Sequence, residues 1–304
     1  QVLANLATHP NAGGVLLLGL GCENSGIEQI RPFMGDYDQQ RVRFLVCQDC
    51  EDEIEAGMAL LKELAERMRE DRRTDCGADQ LTVGLKCGGS DGLSGITANP
   101  AIGVFSDLLT AMGGTTILTE VPEMFGAETI LMDRCENEAL FHKTVRMING
   151  FKAYFESYHM PVYENPSPGN KAGGISTLED KALGCTQKSG SSPVKGVLQY
   201  GEKAENAGLN LLSAPGNDLV ASTALAISGA QLVLFSTGRG TPFGCPVPTV
   251  KISSNSPLAR KKKNWIDFDA GRLLAGMTLR ELGEGLMDTV LKTASGEKTR
   301  GEEN

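Results

Sequence analysis

Short apolar runs alternate along the chain with glycine-rich turns and helical patterns. Val15–Leu20 (VLLLGL) is a continuous apolar run, too short for a buried helix, and Val42–Cys47 (VRFLVC) is a second. Leu81–Leu85, Thr115–Val121, Leu209–Ser213, Gln231–Phe235 and Val250–Ser253 read the same way, the last of them as the final strand. Between these runs the period changes. Ile54, Met58, Leu61, Ala65 and Met68 recur at spacings of three and four, which predicts a helix over roughly 52–70. Acids crowd its start and arginines its end, as the helix dipole favours. Asn99-Pro100 predicts a cap and first turn for a helix with Phe105, Leu108, Leu109 and Met112 as its buried stripe. A long helix carries Leu140, Phe141, Val145, Ile148, Phe151 and Phe155; another covers Asp218–Ser228; the last opens on the capping box Thr278…Glu281.

Continuous apolar strands alternating with helices predict an α/β fold, a Rossmann-like and mostly parallel sheet covered by helices. A ligand is then expected beyond the carboxyl ends of the strands. The polar stretch Arg72–Gln80 reads as a linker. A domain boundary is expected there, between a smaller α/β part over 1–78 and the Rossmann-like domain over 79–304. Residues 161–192 are rich in Pro, Gly, Ser, Asn and Lys with little period, and a loop that long is more often functional than idle.

Composition narrows the partners. A formal net charge of −9 argues against nucleic acid, whose footprint is basic. The run Arg260–Lys263 reads as a solvated face. No stretch of 18 apolar residues is present to span a bilayer, and no signal segment opens the chain. Eight cysteines in 304 residues do not resemble a secreted disulfide framework and read as cytosolic thiols. Cys47 and Cys50 have redox or zinc spacing, but no second such pair follows to complete four ligands.

Four predicted strand ends carry unusual loops: GCENSG (21–26), KCGGSDG (86–92), TEVPE (119–123) and STGRGTPFG (236–244). On one parallel sheet they converge at one edge. The dinucleotide fingerprint and the phosphate-binding loop are both missing, so a polar pocket with bare amides is left, suited to a small carboxylate. Its possible metal ligands are Cys22, Glu23, Cys87, Asp91, Glu120, Glu123 and Cys185, a thiolate and carboxylate mixture that suits ferrous iron or a similar borderline cation better than magnesium. Taken singly, a cysteine at a strand end is ordinarily just a small buried side chain. Lys171, Lys181 and Lys188 stand in the irregular segment, where a lysine beside a metal can act as a base or simply face solvent. Arg239, between two glycines, could clamp a carboxylate.

The blocks GLGCENSG, KCGGSDGLSGITANP, TEVPEMFGAE, YENPSPGNKAGGISTLEDKALGCTQKSG, LNLLSAPGND and LFSTGRGTP resemble the altronate branch of the altronate/galactarate dehydratase family, over essentially the whole chain. That resemblance implies a bacterial cytoplasmic hydro-lyase converting D-altronate into 2-keto-3-deoxy-D-gluconate and water in hexuronate catabolism, supported by Fe2+ or Mn2+. It implies three parts in the family: an N-terminal SAF-like domain, a middle domain and a Rossmann-like C-terminal domain. The chain is expected to lack the first and the start of the second, so the resemblance implies that 1–78 is the end of the smaller, middle domain.

Elimination of water from a 2,3-dihydroxy acid needs the carboxylate neutralised while the C2 proton leaves. Cys87 and Glu120 are the first metal candidates, with Cys22 and Asp91 behind them. The amides of Gly88, Gly89 and Ser90, with Arg239, would hold the substrate carboxylate, and Lys171 or Lys188 would be the base. The expected partners are a small sugar acid and a second copy of the chain in a homodimer. The other readings are a dehydratase of a related aldarate such as galactarate, and a sugar-acid binding fragment without catalysis.

Overall fold

The computed structural model describes residues 1–303. The chain divides into two compact units, Gln1–Cys76 and the remainder from Gly77 onward. The first unit holds two parallel strands, β1 (Val15–Gly19) and β2 (Val42–Val46), which pair only with each other. A helix at Glu53–Met68 covers them. Its cap is Asp52, whose side chain accepts from the Glu55 amide. The face turned inward is not the stripe whose spacing predicts the helix. Gly57 and Leu64 are buried, while Ile54 is 71% exposed and Met58, Leu61 and Met68 are also exposed.

The second unit is built on seven strands: β3 (Thr82–Cys87), β4 (Thr115–Leu118), β5 (Val194–Leu198), β6 (Gly208–Leu212), β7 (Leu232–Thr237), β8 (Thr249–Ser253) and β9 (Phe268–Asp269). Their order is β5-β6-β4-β3-β7-β8-β9, and every pairing is parallel. β7 is buried at all six positions, which explains the apolar run Leu232–Phe235 that precedes its buried Ser236 and Thr237. The helix Ala98–Ala111 buries Ile102, Phe105 and Leu109 completely and packs on the helix Leu279–Ala294 through Leu282, Leu286 and Val290. Each such side chain contributes roughly 1.5–3 kcal/mol by leaving water.

Several expectations change here. The expected final strand, Val250–Ser253, is followed by β9, and β5 lies where 161–192 gives way to ordered sheet; both are short or interrupted by Lys195 and Gly196, which hides them from an apolar-run reading. The segment 161–192 is not one loop, because it folds into helices at Pro168–Ala172 and Leu178–Thr186. Asn99 is not a cap: the helix starts at Ala98, and Asn99 is buried, donating to the Gly184 carbonyl and accepting from Ser236. Met112, expected in the buried stripe, is half exposed. The loop GCENSG follows β1 and so belongs to the small sheet, not to the edge shared by the other three loops. Among the described residues, no helix is long and apolar enough to cross a membrane.

The topology creates the site. From β3 the chain builds outward through β4 to the β5 edge, then crosses to β7 on the other flank of β3. Loops leaving β3 and β7 therefore diverge, and a crevice opens between them at the carboxyl ends.

Candidate active site

That crevice is an open cleft of about 1120 Å³, with Cys87, Gly88 and Gly89 after β3 and Arg239 and Gly240 after β7 on its lining. Gly89 turns at φ +63°, a conformation that a side chain would strain. The Gly88 amide is not available to a ligand, because it donates to the Ser236 carbonyl at 2.9 Å.

Below the cleft lies a cluster of buried charge. Lys86, the one charged residue of β3, is fully buried, donates to Glu120 Oε1 at 2.5 Å and to the Cys87 carbonyl at 2.7 Å, and forms an ion pair with Asp218 Oδ1 at 3.0 Å. Glu120 follows β4 in the left-handed region, φ 69°, a strained setting for a non-glycine residue. Its second oxygen accepts from the Cys87 amide at 3.0 Å and from Lys188 at 3.2 Å. Burial and the neighbouring Cys87 sulfur push Glu120 up to about 7, against the pull of Lys86 and Lys188.

Lys181 and Cys185 are four residues apart on the helix Leu178–Thr186 and so share a face. That face meets Cys87: the two sulfurs are 3.5 Å apart, and Lys181 Nζ is 3.8 Å from Cys87 Sγ. Lys181 also donates to Ser90 Oγ at 3.1 Å and pairs with Glu123 at 3.0 Å. The hydrogen bond from Cys185, then the charges of Lys181, Lys188 and Lys86, hold the Cys87 thiol well below its ordinary range despite burial. Cys185 is pushed well up by the same contact and by burial. Burial opposes the charge of Lys188, but Cys87, Cys185 and Glu120 outweigh it and raise its pKa.

One group among the described residues has metal-binding geometry: Cys87 Sγ, Cys185 Sγ and a Glu123 oxygen lie within 4.8 Å of one another. The donor set fits a divalent cation, since two sulfurs and a carboxylate oxygen converge there and three protein ligands beside an open cleft leave a position for substrate. Lys181 already pairs with Glu123, so an ion here would share that carboxylate with an ammonium.

The residues expected from sequence are distributed unevenly. Cys87 is in the group. Glu120 is next to it, but both its oxygens are held by lysines and the Cys87 amide, so it braces the site from behind. Asp91 accepts from Ser94, Ser254 and Asn255 and ties the β3 turn to the segment after β8. Cys22 is in the N-terminal unit, exposed, its amide donating to Glu23. Ser90 is buried and contributes a hydroxyl to Lys181 rather than lining the cleft. Lys171 and Arg239 are exposed on the cleft wall, Arg239 donating to the Gly169 carbonyl at 2.8 Å. Lys188 is sealed below and stays protonated, the reverse of what a general base requires. Lys86 and Asp218 are not among the site residues that the sequence pattern leads one to expect. A lysine inside VGLKC was a usable signal, because a charge in a central strand must find a buried partner.

Fold and cluster together define a doubly wound α/β protein with two cysteines, carboxylates and lysines gathered at its topological switch point. The chain belongs to the D-galactarate/altronate dehydratase family: the family's C-terminal region matches residues 78–304, and the second domain of D-galactarate dehydratase/altronate hydrolase matches residues 1–69. It is 60% identical to an altronate dehydratase of Escherichia coli K12 and 59% identical to one of Bacillus subtilis 168, in each case over 100% of this chain and 61% of the relative. The galactarate dehydratase (L-threo-forming) of E. coli K12 is 35% identical over 98% of this chain and 59% of that protein. The chain thus spans less than two thirds of the length of these relatives.

Proposed function

We propose that this chain is the catalytic portion of a hydro-lyase that dehydrates D-altronate to 2-keto-3-deoxy-D-gluconate. The observation that carries this is the group Cys87, Cys185 and Glu123, of which Cys87 and Glu123 line the open cleft, with Lys181 against it. In the resulting scheme those three residues hold a divalent ion, Fe2+ or Mn2+, which a mixed sulfur and oxygen set favours over magnesium. When bound, that ion supplies Lewis acidity to the carboxylate end of the substrate as negative charge develops there. Arg239 and Lys171 on the wall provide the cationic grip for the same carboxylate. Lys181, an ammonium whose charge Cys185, Cys87 and Glu123 support against burial, is placed to protonate the departing hydroxyl. Lys86 and Glu120 brace the Cys87 backbone from behind, and Lys188 holds Glu120 in place.

The identity to altronate dehydratases, 60% against 35% for the galactarate enzyme, supports altronate over an aldarate. The test is turnover by the full-length protein of D-altronate and galactarate, each followed by a 2-keto acid assay. Altronate should be the better substrate. Greater turnover of galactarate would reassign the substrate, and thermal stabilisation by both acids without product would make the protein a sugar-acid binder.

A further inference from the structure

Three carboxylates line the cleft: Glu123, Glu164 and Asp218. Glu123 is taken up by Lys181 and Cys185. Glu164 is exposed and has no anchoring partner among the described residues. Asp218 differs from both. It opens the helix Asp218–Ile227, is 41% exposed, and has Oδ1 fixed at 3.0 Å by the fully buried ammonium of Lys86. Its Oδ2 has no hydrogen-bond partner among the described residues. A Cβ on Gly88 would come within 2.7 Å of Asp218 Oδ1, so this carboxylate stands directly against the turn that follows Cys87. One oxygen is held and the other is left for a ligand.

From this placement we propose that Asp218 is the proton-transferring group of the site, taking the C2 proton of the bound sugar acid and returning it at C3. The assignment rests on the dehydratase reading above. Asp218 removes the C2 proton, and the electron pair of that C–H bond becomes the C2–C3 double bond. The C3–O bond breaks toward oxygen, which leaves as water with a proton from the Lys181 ammonium. C3 of the resulting enol takes the proton from Asp218, the C2 hydroxyl gives its proton to the Lys181 amine, and both side chains regain their starting state. One water is lost and no oxidant or reductant is used. Lys86, which no substrate can reach, is a positioning residue: it holds Asp218 from below while its other bonds run to Glu120 and the Cys87 carbonyl.

The test compares full-length wild type with Asp218→Asn and Asp218→Glu, measuring kcat, KM, metal per chain and the unfolding midpoint. Asp218→Asn should lower kcat by about 10²–10⁴-fold with KM and metal content unchanged. Asp218→Glu keeps the charge but moves the carboxylate by a methylene, and should lose at least about tenfold in kcat with metal retained, which decides the matter if the Asn protein does not fold. A rate for either variant within about threefold of wild type, or a loss explained by a higher KM or missing metal, overturns the assignment. A wild type that makes no 2-keto product from altronate or galactarate overturns the dehydratase reading itself, and the assignment with it.

Discussion

The Lys86 ammonium lies 2.5 Å from the Glu120 carboxylate, and both side chains are closed to solvent. One sits in the central strand of the sheet, the other in a strained left-handed turn one strand away. Such a pair contributes little net stability relative to an apolar core, yet removing one partner strands the other charge.

Lys86→Met is therefore expected to lower the unfolding free energy by about 3–5 kcal/mol, because Glu120 and Asp218 lose the cation between them. Urea unfolding measures this. A midpoint equal to the parent's would show that the pair is energetically idle.

A second expectation concerns pH. Glu120 titrates at about 7 in the folded chain against an ordinary 4.5, so between those values the folded state holds a proton that the unfolded state has released. Its contribution is complete below about pH 4.5 and is lost as pH rises through about 7. Cys87, whose pKa is lowered, pulls the other way, so the comparison must be made against Glu120→Gln. Wild type minus Glu120→Gln should decline in stability between pH 5 and pH 8. A flat difference would mean that Glu120 keeps its ordinary pKa.

Metal content discriminates the proposed ligands from their neighbours. Cys87→Ala and Cys185→Ser in the full-length protein should each lose most of the bound divalent ion, with turnover falling alongside, since a three-residue group cannot spare a donor. Asp91→Asn should keep its metal, because that carboxylate serves Ser94, Ser254 and Asn255. Elemental analysis reads both results; metal retained by both cysteine variants would falsify the ligand set.

Gly88→Ala tests the close packing beneath the cleft. The new methyl would fall 2.4 Å from Phe235 Cζ and 2.7 Å from Asp218 Oδ1. Overpacking of this kind destabilises by about 1–3 kcal/mol, and displacing Asp218 should lower kcat by at least about tenfold. Full activity in the alanine variant would show that the turn has room to spare.

Much of the architecture follows from local chemistry. Apolar runs identify β3, β4, β6, β7 and β8; the Thr278…Glu281 box starts its helix as the residue types dictate; and glycines mark the turn after Cys87. These are decided within a few residues of each other. The stripe Ile54–Met68 shows the limit even there, since periodicity finds a helix but the partner surface decides which side is buried, here Gly57 and Leu64.

The site was legible only in its pieces. Cys87, the cleft glycines and Arg239 stand out in sequence because a thiol or cation among bare amides is locally unusual. What Glu120 does was not readable, nor were the roles of Lys188, Lys181 and Asp218. Lys86 meets Glu120 across 34 residues and Lys181 meets Ser90 across 91. By itself the sequence determined a parallel α/β sheet and the loops at its edge. Only the tertiary structure decided which lysines are buried cations and which line the cleft, because burial and charge pairing depend on strand order, which brings distant residues together.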